Sequence, residues 1–124
     1  MIEVRNTSNK GRGVFADRNI VRAELIERAP VLIVPAEEWS YIRSTILDNY
    51  CFRFGPNQEH AALAMGYGSL YNHSYTPNAV YEVKDEQMVV QFKALRDIAA
   101  GEEITVNYNR DPQDRSPVWF EVLS

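Results

Sequence analysis

A mainly β chain carrying one substantial helix is what the sequence predicts, and three observations carry that prediction. Short apolar runs with alternating or aromatic character recur along the 124 residues, clusters of Gly, Pro, Asn and Asp separate them, and a single stretch has helical apolar spacing.

Residues 2–5 are short and alternating, and Val14-Phe15-Ala16 follows a glycine pair, so both read as strands joined by a loop over residues 6–13. A strand-like run over residues 23–34 is interrupted by Pro30. Pro35-Ala36-Glu37-Glu38 then has the proline and early acids of a helix first turn. Trp39, Ile42, Ile46 and Leu47 recur at helical spacing behind it, which predicts the substantial helix. Residues 49–54 read as an aromatic strand ended by Gly55-Pro56-Asn57. The apolar run 61–65 is expected to be buried. Residues 79–84 and 88–94 flank Asp85-Glu86-Gln87 as a hairpin would, and 104–108 is a last strand before a polar tail. One internal echo stands out: residues 18–26 and 96–104 share Arg, Ile, Glu and Ile in register, as one turn-into-strand device used twice.

The length leaves room for one domain over residues 1–124, and 45% hydrophobic residues can build one core. A single cysteine, Cys51, rules out an internal disulfide framework or a four-cysteine zinc site, so no metal is expected. No apolar stretch approaches the roughly 18 residues a membrane span needs, and residues 1–5 lack a secretory signal's pattern. The expectation is a soluble intracellular protein, cytoplasmic in a bacterium and with the nucleus open to it in a virus or eukaryote. A formal charge of -4 argues against direct nucleic-acid binding and suits a basic partner.

Residues 68–78, Gly-Ser-Leu-Tyr-Asn-His-Ser-Tyr-Thr-Pro-Asn, are too polar and turn-rich for an ordinary strand and emerge from a buried run, where ligands bind. Within it stand Asn72-His73-Ser74 and Pro77-Asn78. Together with Gly11-Arg12-Gly13-Val14-Phe15 near the start and Gly101-Glu102-Glu103-Ile104-Thr105-Val106-Asn107-Tyr108 near the end, these segments resemble, in order and spacing, the SET-domain protein lysine methyltransferases. The chain is similar in size to the short viral and bacterial members.

The resemblance implies a β-clip fold of small curled sheets with a knot-like C-terminal segment that brings residues 72–73 beside Tyr108. It implies S-adenosylmethionine as methyl donor and the side-chain amine of a protein lysine as acceptor, with a histone-like or other basic protein as substrate. Tyr108 matches the family's closing tyrosine and is expected to be catalytic by positioning, since a phenol with a pKa near 10 is a poor base at neutral pH. Gly11, Arg12, Gly13, Asn72 and His73 are carried over as cofactor contacts: the glycines for close backbone approach, Asn72 through its amide, His73 mainly through backbone. Tyr50 and Tyr67, with Tyr108, are candidates for the lysine channel, where aromatic walls could also hold a methylated ammonium.

Departures from the family pattern bear on this expectation. Ser74 is followed by Tyr75 rather than cysteine, the C-terminal zinc cluster is missing, and Asn107 stands before the closing tyrosine. Residues 109–124 are a candidate to close the site through Trp119 and Phe120. Two other classes compete: a non-catalytic SET-like module that binds cofactor or a lysine segment, and a cysteine hydrolase built from Cys51 with His60 or His73, which rests on residue types alone. So small a domain could also bury apolar surface as a homodimer.

Overall fold

The computed structural model describes residues 1–118, so Trp119 and Phe120 lie outside the described residues. The expected strands, joined by two that the local pattern does not mark as strands, His60–Ala64 in the buried apolar run and Asn72–His73 in the polar stretch, form two sheets. One has four strands in the order β1 (Ile2–Asn6), β2 (Arg12–Ala16), β9 (Glu103–Val106) and β6 (Asn72–His73). The other has five, in the order β4 (Cys51–Phe54), β5 (His60–Ala64), β3 (Leu25–Val34), β8 (Val89–Ala94) and β7 (Ala79–Lys84). Neighbours run antiparallel except β6 and β9, which pair in parallel with Asn72 opposite Thr105 and His73 opposite Val106. That pairing sets the segment 72–73 beside the chain entering Tyr108.

Pro30 does not end its strand. It falls where β3 passes from β8, paired over its first half, to β5, paired over residues 31–34. At this changeover the missing N–H breaks no ladder, and the Pro30 carbonyl accepts from Met65 N–H at 2.8 Å.

The helix forms where its first turn placed it, but it is short. One α turn, α1 (Trp39–Ile42), lies between 3₁₀ turns at Ala36–Glu38 and Ile46–Tyr50. None of its residues is buried, and Ile46 is 68% exposed. Packing is what holds so short a helix, and here it is slight, with only Trp39 and Ile42 half-buried over residues 36–50. Thr45 stops it, donating its hydroxyl to the Ile42 carbonyl at 2.7 Å while accepting Leu47 N–H. Of this segment, Trp39, Asp48, Asn49 and Tyr50 line a cavity instead of filling a core.

The core lies between the sheets, with Phe92, Ile20, Ile98, Ile104, Val14 and Val90 fully buried. Tyr71 stacks on Phe92 with centroids 4.2 Å apart, and Phe52 meets Tyr81 edge-on at 5.0 Å.

The internal echo is a pair of interlocked turns related by an approximate twofold. Ile20 and Ile98 exchange N–H to carbonyl bonds at 2.8 Å in both directions. Arg18 donates to Glu24 and Arg96 to Glu102, each at 2.7 Å. Arg22 N–H donates to Asp97 Oδ1 as Ala100 N–H donates to Asn19 Oδ1. Each copy thus caps the other, one feeding β3 and the other β9.

Candidate active site

β9 is where the two groups of candidate residues meet. On one side, Asn72 Nδ2 donates to Glu103 Oε2 at 2.7 Å and to the Arg12 carbonyl at 3.1 Å, tying the start of β2 to β9 and β6. Gly13 makes this possible: a Cβ there would stand 2.5 Å from Glu103 Oε2 and 2.8 Å from Asn72 Nδ2. Gly11, at φ +70°, serves differently. A Cβ on it would meet nothing within 4 Å, so the backbone is bare to its surroundings. The loop is closed by Thr7, whose N–H and hydroxyl both donate to the Gly11 carbonyl.

His73 is 3% exposed, and its Nδ1 accepts the Tyr108 N–H at 2.9 Å. That bond requires the neutral ring with its proton on Nε2. Burial, then the charge of Lys10, pushes the imidazole pKa down, which keeps it neutral. His73 is therefore a fixed wall, edge-on to Tyr75 at 4.5 Å and tilted against Tyr108 at 5.2 Å.

On the other side is a cavity of about 630 Å³ whose lining includes Trp39, Tyr50, Tyr71, Tyr81 and Tyr108. Tyr108 is held in this wall by two hydrogen bonds. Its hydroxyl donates to the Tyr71 carbonyl at 2.6 Å, and its own carbonyl accepts from Tyr81 Oη at 3.3 Å. With the phenolic proton so engaged, the oxygen keeps acceptor capacity. Burial, followed by neighbouring Tyr50, Glu103 and Tyr81, raises the phenol pKa. Tyr108 stays protonated and acts as a hydrogen-bonding group, never as a phenolate base.

Of the tyrosines expected in a channel, Tyr50 lines the cavity with Tyr108, whereas Tyr67 is not among its lining residues and instead donates its backbone N–H to Glu27 Oε2 at 3.0 Å. Arg12 is exposed and contributes its carbonyl. Sequence reasoning missed Tyr71 and Tyr81. Tyr71 immediately precedes Asn72, so its position was a signal that went unused. Tyr81 lies in an alternating strand, where core and cavity wall look alike.

Asn107, 1% exposed, fastens the tail: its Nδ2 donates to the Asp114 carbonyl at 2.5 Å, and its Oδ1 accepts Asn109 N–H. A carboxylate could not donate that bond. Asn109 Nδ2 and Tyr75 Oη both donate to the Ser116 carbonyl, at 2.7 and 3.1 Å. Cys51 also lines the cavity, but burial, then Asp48, pushes its thiol pKa up, the reverse of an activated nucleophile.

The SET domain family model matches residues 11–109, and the chain belongs to the SET-domain family. It is a protein lysine methyltransferase, of the class that draws its methyl group from S-adenosylmethionine. The chain is 32% identical over 121 residues to a Schizosaccharomyces pombe histone-lysine N-methyltransferase specific for H3 lysine 37, covering 97% of this chain and 77% of that protein. It is 30% identical over 118 residues to a Saccharomyces cerevisiae histone-lysine N-methyltransferase specific for H3 lysine 4, covering 85% of this chain but only 11% of that much longer protein. Among solved structures, a candidate histone methyltransferase of Plasmodium falciparum superposes with TM-score 0.69 at 31% identity, covering 87% of this chain and 96% of that one. The fold is also shared with a Polycomb repressive complex 2 structure bound to S-adenosylmethionine, at TM-score 0.72 and 21% identity over 86% of this chain and 15% of that one.

Proposed function

We propose that this chain methylates a lysine of a histone, with histone H3 the first substrate to test, using S-adenosylmethionine held by Gly11, Arg12, Gly13, Asn72 and His73. The observation that carries this reading is the double tether of Tyr108. Its backbone is bonded to His73 on the proposed cofactor side, and its hydroxyl to Tyr71 on the cavity side.

The residues fit the cofactor. Gly11 offers bare backbone, and Asn72 spends its Nδ2 on protein partners while its Oδ1 has none among the described residues, so that oxygen suits the ammonium of a methionyl group. When bound, S-adenosylmethionine supplies a sulfonium methyl group for direct displacement by the lysine amine.

The chain's own task is to deliver that amine uncharged and aligned. With a lysine pKa of ~10.4, freeing the amine at neutral pH costs about 4.6 kcal/mol, at ~1.36 kcal/mol per unit over ~3.4 units. An aromatic cavity disfavours the ammonium by desolvation. The Tyr108 oxygen can accept an amine N–H and hold the lone pair in line, a contribution of orientation rather than proton removal.

Calorimetric titration with S-adenosylmethionine, followed by radiolabelled methyl transfer to recombinant histones, tests the proposal. Binding with label on H3 is expected. Binding with label only on another basic protein would move the substrate assignment, and binding with no transfer to any protein would favour a module that recognises lysine without modifying it. Asn72→Ala is expected to weaken cofactor binding before it affects stability, and unchanged affinity would remove Asn72 from the cofactor site.

A further inference from the structure

Tyr108 is aimed by the Tyr71 carbonyl, and Tyr71 is itself held by a side chain from another strand. Tyr71 Oη donates to Glu27 Oε1 at 2.8 Å, and the other oxygen of the same carboxylate takes the Tyr67 N–H at 3.0 Å. Glu27 therefore clasps both ends of the five-residue stretch that carries the carbonyl accepting from Tyr108. Three separate features of the chain place this one carboxylate. The pairing of β3 with β8 shifts register between Leu25 and Glu27, the kind of irregularity that re-aims a strand side chain. Gly66 adopts φ +62°, and a Cβ on it would come within 2.6 Å of Glu27 Oε2. Tyr71 is stacked on Phe92, so its ring can reach the carboxylate in only a narrow range of orientations.

We infer that Glu27 is a positioning residue for methyl transfer: through Tyr71 and the loop 66–71 it fixes the carbonyl that orients the Tyr108 hydroxyl and the ring that walls the cavity. The inference rests on the function proposed above. Glu27 touches neither substrate nor cofactor in this account. It acts through the chain Glu27, Tyr71 carbonyl, Tyr108.

The test is a set of four proteins, Glu27→Gln, Tyr71→Phe, Tyr108→Phe and Glu27→Gln/Tyr108→Phe, assayed for kcat, KM and S-adenosylmethionine affinity against wild type. Glu27→Gln keeps the shape but cannot accept on both sides as the carboxylate does. About a tenfold loss of kcat is expected, with cofactor affinity and peptide KM within twofold of wild type. Tyr71→Phe, which breaks only the hydroxyl link, is expected to lose kcat in the same direction by a smaller factor. In the Tyr108→Phe background the Glu27 substitution is expected to cost nothing further, because the group it aims is gone.

A structural role would lower activity by a similar factor in both backgrounds, and that additive result would overturn the inference. So would unchanged kcat in both Glu27→Gln and Tyr71→Phe. Should Glu27→Gln fail to fold, Tyr71→Phe alone decides, since its loss of kcat must disappear in the Tyr71→Phe/Tyr108→Phe protein. An inactive wild type, by contrast, would count against the proposed function and not against the clasp specifically.

Discussion

The two interlocked turns, residues 18–26 and 96–104, are built alike and used differently. Each has an arginine to glutamate bond at 2.7 Å and an N–H to the same glutamate, from Val21 in the first copy and Ala99 in the second. In both, burial alone would raise the glutamate pKa, yet the hydrogen bonds prevail and both carboxyls sit below their ordinary range. The copies part at Asn78. This amide, 2% exposed, donates to Glu102 Oε2 and to the Glu103 carbonyl, and accepts Thr105 N–H. No such group joins the first copy among the described residues. The second turn thereby becomes the anchor of the segment 72–78, while the first only shapes the chain. One device can thus provide stability twice and serve a site once, the difference lying in side chains added around it.

The comparison can be broken most forcefully at Asn78. Asn78→Ala removes three hydrogen bonds and leaves buried carbonyl and N–H groups unpaired, so it is expected to destabilise by about 2–4 kcal/mol and to weaken cofactor binding. Urea denaturation and calorimetry read the two effects. Stability lost with affinity retained would show that Asn78 merely supports the fold.

A smaller contrast lies in the arginines. Arg18→Ala and Arg96→Ala are both expected to cost little stability, since both ion pairs are exposed. Only Arg96→Ala should reduce methyl transfer, because Glu102 is shared with Asn78. Equal activity in the two variants would contradict the division of roles.

The glycine position sharpens the comparison further. Ala23, at φ +70°, occupies the place that Gly101, at φ +90°, holds in the second copy. A left-handed alanine costs roughly 1–2 kcal/mol, offset by roughly 0.4–1 kcal/mol of unfolded-chain entropy. Ala23→Gly is therefore expected to stabilise, and Gly101→Ala to destabilise, each by about 0.5–1 kcal/mol.

The slightest effect is one of pH. His73, opposite Val106 of the strand the second turn feeds, has a lowered pKa. Between its folded value and the unfolded value near 6.5, the unfolded chain binds the extra proton, so stability falls as pH drops below about 6.5. The stability contributed by Glu24 and Glu102, whose carboxyls are depressed, is present above about 4.5 and is lost only at lower pH. Thermal melts from pH 8 to 4 should show the histidine step first, and an NMR titration of His73 with a midpoint at or above 6.5 would contradict it.

Much of this was legible in the chain. The hairpin of β7 and β8, the strand ended by Gly55 and the two-copy turn follow from local alternation and turn residues, and the ordered motifs pointed to Asn72, His73 and Tyr108, which the pairing of β6 with β9 and the bond between His73 and Tyr108 bring together. The helix was overestimated because Trp39, Ile42, Ile46 and Leu47 have core spacing, yet Trp39 lines an open cavity and Ile46 is exposed. Periodicity shows a shared face but not what covers it. Glu27 was illegible for another reason. Its role depends on a register shift and on two partners 40 and 44 residues away, and neither leaves a local trace.

The most direct test of the central claim is Tyr108→Phe, measured side by side for methyl transfer to histone H3 and for S-adenosylmethionine affinity. The hydroxyl is held at 2.6 Å from the Tyr71 carbonyl, and Tyr108 lines the cavity proposed for the substrate lysine. Loss of transfer by about a hundredfold, with cofactor affinity nearly retained, is the predicted result. Equal loss of both, or transfer at the wild-type rate, would contradict the account.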